Sequence, residues 1–281
     1  MFQDKGIIEI KSGNDGKIVT LVACTHGDEL IGDVVFKFLL NDFNIKEKIK
    51  KGSLNLVIGN LEGFKIGKKY IDKDFNRIWE LKEEDKEKYE YKRANEIKDI
   101  IIKSDFLFDL HSTTNPSPFF LIPNGKFEKS YLESFNCEYV VEDILNFLHG
   151  KPLVSYVSDN NEKSETMVME CFWERKEEEK IYINNVINYL NKIGIIEEKL
   201  PFEIEKQKPT IFKVKKAIHA KSMDVVFKYS ENPKSFDFVK TGELVFTDGN
   251  ESYFAENDFT ILMPTKPRYI GEEIMYILEK A

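Results

Sequence analysis

The sequence predicts an α/β protein, with a mixed sheet layered by helices and a smaller β-rich domain at the C-terminal end. Three observations carry that expectation. Apolar runs of strand length, Lys17 to Cys24, Leu54 to Ile58 and Phe106 to Leu110, alternate with helical stretches from about Glu29 to Leu40 and from about Glu83 to Lys103, as in a sheet covered by helices. A short turn, Ser12-Gly13-Asn14-Asp15-Gly16, separates the first two strands, and such antiparallel-looking turns make the sheet mixed rather than wholly parallel. From about Pro201 long helices give way to short β runs.

Taken in order, Gly6 to Ile10 and Lys17 to Cys24 form the first two strands and Leu54 to Ile58 the third. The stretch Glu80 to Lys92 is dense in both charge signs and reads as a solvated helix face with partners three and four residues apart. Strands recur at Phe106 to Leu110, Phe119 to Ile122, Tyr139 to Val141 and Met167 to Phe172, and a helix follows from about Glu174 to Ile193. The tail holds Thr210 to Val214, Asp224 to Lys228, Leu244 to Thr247 and Phe259 to Met263, with turns at Asn232-Pro233 and Asp248-Gly249-Asn250. These runs divide the chain into an α/β domain over 1–200 and a β-rich domain over 201–281.

The 281 residues carry 49 Asp plus Glu against 41 Lys plus Arg. This acidic excess argues against a nucleic-acid or anionic-membrane partner. Met1 to Lys5 lack the start of a secretory signal, and no apolar run has the length of a membrane span, so cytoplasmic residence is expected. Three cysteines, Cys24, Cys137 and Cys171, are odd in number and unpaired in spacing, which suits reduced, buried thiols.

The chemistry concentrates in two places. Val22-Ala23-Cys24-Thr25-His26-Gly27-Asp28-Glu29 sets a His and a Glu three apart at a strand end, and Phe106-Leu107-Phe108-Asp109-Leu110-His111 sets a second His at another. Open α/β sheets build their sites at such ends. His26 and Glu29 alone read better as residues of a helix start. His111 tips the reading toward a metal, because two imidazoles and a carboxylate form the ligand set of an open catalytic zinc site. Three protein ligands leave a position for water, which zinc activates for hydrolysis near neutral pH. Cys24 and Cys171 are weaker alternative ligands.

Around this set, Asn60 follows the third strand, and Lys68 to Arg77 interleave cations, acids and an amide. Arg77 offers a planar fork matched to a carboxylate and Asn76 a further donor, although Arg77 paired with Asp72 or Asp74 would serve equally well to fix the loop. Glu170 is the one acid in an apolar strand; it reads either as a general base raised by burial or as an outward-facing side chain. His149 and His219 lack a comparable setting and read as surface or loop residues. Ser112 to Thr114 read as turn formers.

The combination of Thr25-His26-Gly27-Asp28-Glu29, Asn60, Tyr70-Ile71-Asp72-Lys73-Asp74-Phe75-Asn76-Arg77, Asp109-Leu110-His111 and Glu170 resembles the succinylglutamate desuccinylase and aspartoacylase family, relatives of the zinc carboxypeptidases. The resemblance implies a carboxypeptidase-like domain and a C-terminal β domain that shapes the substrate pocket. It implies one zinc ion on His26, Glu29 and His111, activation of the attacking water by Glu170, and a substrate carboxylate held by Asn76 and Arg77. Lys69 stands where the family carries an Arg that polarises the scissile carbonyl, keeping the charge and losing the fork. Tyr253 is the candidate for the family's substrate-contacting Tyr, and it reads at least as well as a turn-side aromatic residue packed on the β lobe. Bulky Cys171, Phe172 and Trp173 follow Glu170 where the family often has a Gly.

The expected activity is hydrolysis of a small anionic N-acyl amino acid, such as an N-acetyl or N-succinyl derivative. A metallocarboxypeptidase acting on short peptides and a noncatalytic metal- or ligand-binding module are the alternatives.

Overall fold

The computed structural model describes residues 5–125, 129–132, 134–173 and 176–281; the first four residues, which bear on targeting, and Glu174, the expected start of the last long helix, lie outside them. Strands β1 (Ile7–Lys11), β2 (Ile18–Ala23) and β3 (Ser53–Ile58) are followed by β4 (Phe106–Leu110), β5 (Phe120–Asn124), β6 (Tyr139–Glu142) and β7 (Glu165–Glu170). The helices among them are α1 (Ile31–Lys37), α2 (Leu61–Ile66), α3 (Tyr89–Ile101), the short α4 (Lys129–Leu132) and α5 (Leu153–Asn160), and α6 (Lys176–Lys192) follows β7. The remainder is β8 (Thr210–His219), β9 (Val225–Phe227), β10 (Phe238–Val239), β11 (Leu244–Asp248), β12 (Glu251–Phe254), β13 (Phe259–Leu262) and β14 (Glu273–Lys280).

Eleven strands form one mixed sheet in the order β1-β3-β2-β4-β7-β5-β6-β8-β14-β13-β10. The first turn does not join paired strands: β1 lies antiparallel on β3, and β2 runs parallel between β3 and β4. Five of six β2 residues and all of β3 and β4 are buried. Their near-continuous apolar character is what strands covered on both faces require. Leu21, Phe108 and Met169 share a core with α1 and α6 through Val35, Phe36, Tyr182 and Val186. Val22, Leu107 and Val168 face a second core with α3 and α5 through Ala94, Ile97, Val154 and Val157.

The tail extends the same sheet, since β8 pairs parallel with β6 and β14 antiparallel with β8. A separate antiparallel sheet, β12-β11-β9, packs its Phe246 and Val225 into a third core. No helix of the described residues is long and apolar enough to cross a membrane.

Two local expectations are revised. The helix expected from Glu29 begins at Ile31, so Glu29 sits in the turn before it, and the helix ends in a π-helical turn over Phe38–Asp42. The charged stretch 80–92 is not uniformly solvated: Asp85 is held by Lys73 and Lys88, and Glu90 is fully buried.

Candidate active site

Three adjacent parallel strands bring the predicted residues together. In register, Ala23 of β2 lies beside Leu110 of β4, and Leu110 beside Met169 of β7. The residues just beyond or at these ends are His26, His111 and Glu170, and their convergence at the carboxyl edge follows from the strand order β2-β4-β7. Cys24 takes a left-handed conformation (φ 52°) that turns the chain sharply out of β2. Gly27 then permits an approach that no side chain would: a Cβ there would lie inside the backbone of Gly63 and Phe64. Its N–H donates to the Lys69 carbonyl at 3.0 Å, which ties the His26 turn to the loop carrying Lys69.

His26, Glu29 and His111 offer ligand atoms within 4.8 Å of one another. Glu29 Oε1 faces His26 Nδ1 at 2.6 Å, and Oε2 faces His111 Nδ1 at 2.8 Å. The outer ring nitrogens face further carboxylates: His26 Nε2 lies 3.1 Å from Asp74 Oδ1, within hydrogen-bond reach, and His111 Nε2 lies 2.8 Å from Asp109 Oδ2 as an ion-pair contact. Thr25 Oγ1 donates to the other oxygen of Asp109 at 2.5 Å. Carboxylates behind ligating imidazoles fix ring orientation and raise ligand basicity.

The electrostatics show what the cluster needs. Burial opposes ionisation of Glu29, but the two imidazoles outweigh it and hold the carboxyl far below its usual range. Burial likewise opposes protonation of His111, yet Asp109 and Glu29 raise it well above ordinary imidazole. The positive charge that these carboxylates call onto His111 is one that a cation among the three donors would supply. The donor set, its compact geometry and its outer carboxylates therefore fit a zinc ion. Cys24 and Cys171 are buried outside this group, with thiols pushed up chiefly by burial.

Glu170 is buried beside the cluster, its Oε2 without a hydrogen-bond partner among the described residues. Burial pushes its carboxyl up to about 8; His111 opposes this, while Glu29 and Asp109 add to it.

These residues open into a cleft of about 1060 Å³ that also holds Lys69, Asn76 and Arg77. The 3₁₀ turn Phe75–Arg77 is capped by Asp74, which accepts the Asn76 N–H at 2.8 Å. Asn76 Oδ1 accepts the Leu153 N–H at the start of α5, which leaves the amide nitrogen for another acceptor. Arg77 donates Nη1 to the Asn76 carbonyl, while Asp74 is engaged by His26 and Asp72 by the Tyr89 N–H. Among the described residues no hydrogen bond or ion pair joins the guanidinium to Asp72 or Asp74, although its charge helps hold the Asp74 carboxyl low.

Asn60 does not line this cleft. It caps α2 by accepting the Gly63 N–H and donates to Glu90 at 3.1 Å. Tyr253 is not brought to the cleft either: on β12 its ring stacks on Phe246, with centroids 4.9 Å apart and planes at 14°. The tail's aromatic residues in the cleft wall are Tyr269 and Tyr276, joined by Lys266 and Arg268.

Sequence reasoning missed Asp74, Asp109 and Glu90 as supports. Asp109 had a usable signal, since residues two apart on a strand share a face and Asp109 precedes His111 by two. Glu90 had none, because its burial depends on the return of a distant loop.

The model of the succinylglutamate desuccinylase/aspartoacylase catalytic domain matches residues 15–152. A probable aspartoacylase of Nostoc sp. is 29% identical over 201 residues, 62% of this chain and 64% of that protein. One of Prochlorococcus marinus is 28% identical over 168 residues, 57% of this chain and 51% of that one. The match thus spans between half and two thirds of these curated relatives. Among solved structures, succinylglutamate desuccinylase from Vibrio parahaemolyticus superposes with a TM-score of 0.75 at 18% identity, covering 98% of this chain and 86% of that one. The product-bound ectoine utilization protein of Ruegeria pomeroyi gives 0.72 at 15% identity, covering 98% and 88%. At these identities the structural likeness is one of fold.

Proposed function

Because the chain belongs to the succinylglutamate desuccinylase/aspartoacylase family, we propose that it is a zinc-dependent hydrolase of the amide bond in an anionic N-acyl amino acid. The observation that carries this reading is the convergence of His26, Glu29 and His111 beside the buried carboxyl of Glu170. Bound to the three donors, zinc supplies Lewis acidity and lowers the pKa of water.

Glu170 acts as the proton carrier. Its carboxylate takes a proton from the attacking water, and the resulting acid passes that proton to the leaving amine; burial, which pushes the carboxyl up, favours the protonated form that the second step uses. Lys69, in the cleft wall, offers its ammonium to the negative charge that develops on the acyl oxygen. Arg77 and the amide nitrogen of Asn76 hold the substrate carboxylate, with the guanidinium supplying a bidentate grip. Asp74 and Asp109 keep the two imidazoles in place throughout.

Amine release by zinc-loaded protein from a panel of N-acetyl, N-succinyl and N-formyl amino acids tests the reading. Chelator-sensitive release from an acidic member is the expected result. Release from short peptides alone would replace deacylation with carboxypeptidase action, and silence across both sets with zinc bound would make the chain a binder.

A further inference from the structure

The four histidines of the chain fall into two pairs. His26 and His111 have ring centroids 5.0 Å apart; His149 and His219, which belong to no part of the proposed reaction, have theirs 5.2 Å apart. As in the first pair, a carboxylate completes the second: His149, His219 and Glu273 offer ligand atoms within 4.8 Å of one another. The sequence hides this group because its members are scattered across the chain and are assembled by topology.

Two of the three donors sit on a rigid frame. β8 and β14 are antiparallel partners, and Glu273 lies opposite His219 in their register. His149 arrives from the loop after the 3₁₀ turn Ile144–Phe147, and its backbone N–H points to Glu273 Oε1 at 3.4 Å. The side chains do not satisfy one another. His219 Nε2 is 4.0 Å from Glu273 Oε1, beyond hydrogen-bond reach. Two ligand atoms on a tetrahedral ion with bonds of about 2.0–2.1 Å stand roughly 3.4 Å apart, so an ion would draw together the three donors, which lie within 4.8 Å of one another. Both imidazoles are exposed, which gives the ion a path from solvent.

We propose that His149, His219 and Glu273 form a second metal site, for a divalent transition ion such as zinc, at the rim of the cleft. Imidazole nitrogens select zinc, nickel or copper over magnesium and calcium. The ion would join the C-terminal strands to the 149–151 loop. That loop abuts the anion-binding segment: a Cβ on Gly150 (φ 80°) would lie 2.5 Å from the Arg77 carbonyl oxygen, and the Lys151 carbonyl accepts the Trp79 N–H at 3.2 Å.

Zinc bound per chain, measured by elemental analysis after equilibrium dialysis, tests the site. The unsubstituted chain is expected to hold two equivalents and His219→Ala one, with His149→Ala giving the same loss should the first variant fold poorly. Magnesium should not compete, and the second equivalent should raise Tm in the unsubstituted chain only. Equal zinc content in the unsubstituted chain and both variants overturns the proposal. His26→Ala removes the other equivalent and leaves this one, so the two sites stand or fall separately.

Discussion

Glu90 accepts the backbone N–H of Ile71 at 2.6 Å from a position that solvent does not reach. The same carboxylate takes the N–H groups of Asp72 and Lys73, each at 3.1 Å, and the Asn60 amide at 3.1 Å. One side chain on α3 thereby shapes the start of the loop that carries Asn76 and Arg77 and secures it to the cap of α2.

Glu90→Ala should therefore weaken both fold and site. The Asn60 amide, a buried donor left without its acceptor, costs about 1–3 kcal/mol, and the three part-buried N–H groups of the loop lose theirs with it. Urea unfolding should show a loss of about 2 kcal/mol or more. The surviving folded enzyme should show a larger change in KM than in kcat. A loss below about 0.5 kcal/mol would mean that the loop holds its shape without Glu90.

Gly27→Ala tests the close approach at the other side of the loop. The added methyl group meets peptide backbone, which cannot swing aside as a side chain tip can. The 63–69 segment must shift, and with it the turn that aims His26. A Tm fall equivalent to about 2 kcal/mol or more is expected, together with weaker zinc binding. Wild-type zinc affinity in this variant would separate the glycine from the metal site.

The strands and the meeting of His26, Glu29 and His111 were legible because their determinants are local. The continuous apolar runs of β2 and β4 fixed where His26 and His111 emerge, and register did the rest. What escaped the sequence depends on long returns of the chain. His219 and Glu273 meet through the pairing of β8 with β14 and His149 reaches them from a separate loop, while Glu90 takes its partners from the 70–73 loop and from Asn60. Tyr253 has the composition of a substrate-facing aromatic residue, but the alternation of β12 turns its ring onto Phe246. Helix α5 had weak prior signal at eight residues, and its start is fixed by Asn76, 77 positions earlier.

Glu170→Gln separates proton transfer from metal binding. The amide keeps the size and polarity of the side chain but carries no proton between water and the leaving amine. Turnover should fall by about 10²–10⁴-fold, while zinc content by elemental analysis stays at the level of the unsubstituted chain. Loss of the zinc held by His26, Glu29 and His111 would make Glu170 a structural support of the cluster, and near-normal kcat would remove it from the reaction.

The same residue gives the zinc-free protein a stability that depends on pH in a stated direction. Burial pushes the Glu170 carboxyl up to about 8 in the folded chain, whereas an unfolded Glu titrates near about 4.3. Between those values the folded state holds a proton that the unfolded state has released, so stability declines as pH rises. His111 acts in the same sense: Asp109 and Glu29 overcome the effect of burial and raise its pKa, so its contribution is full below the unfolded value of about 6.5 and is lost as pH rises through the higher folded value. Chelator-treated protein should therefore melt at falling temperature from about pH 5.5 to about pH 8. Glu170→Gln should flatten part of that slope and leave the share due to His111. Parallel Tm profiles for the two proteins would show that Glu170 does not hold its proton in the folded chain.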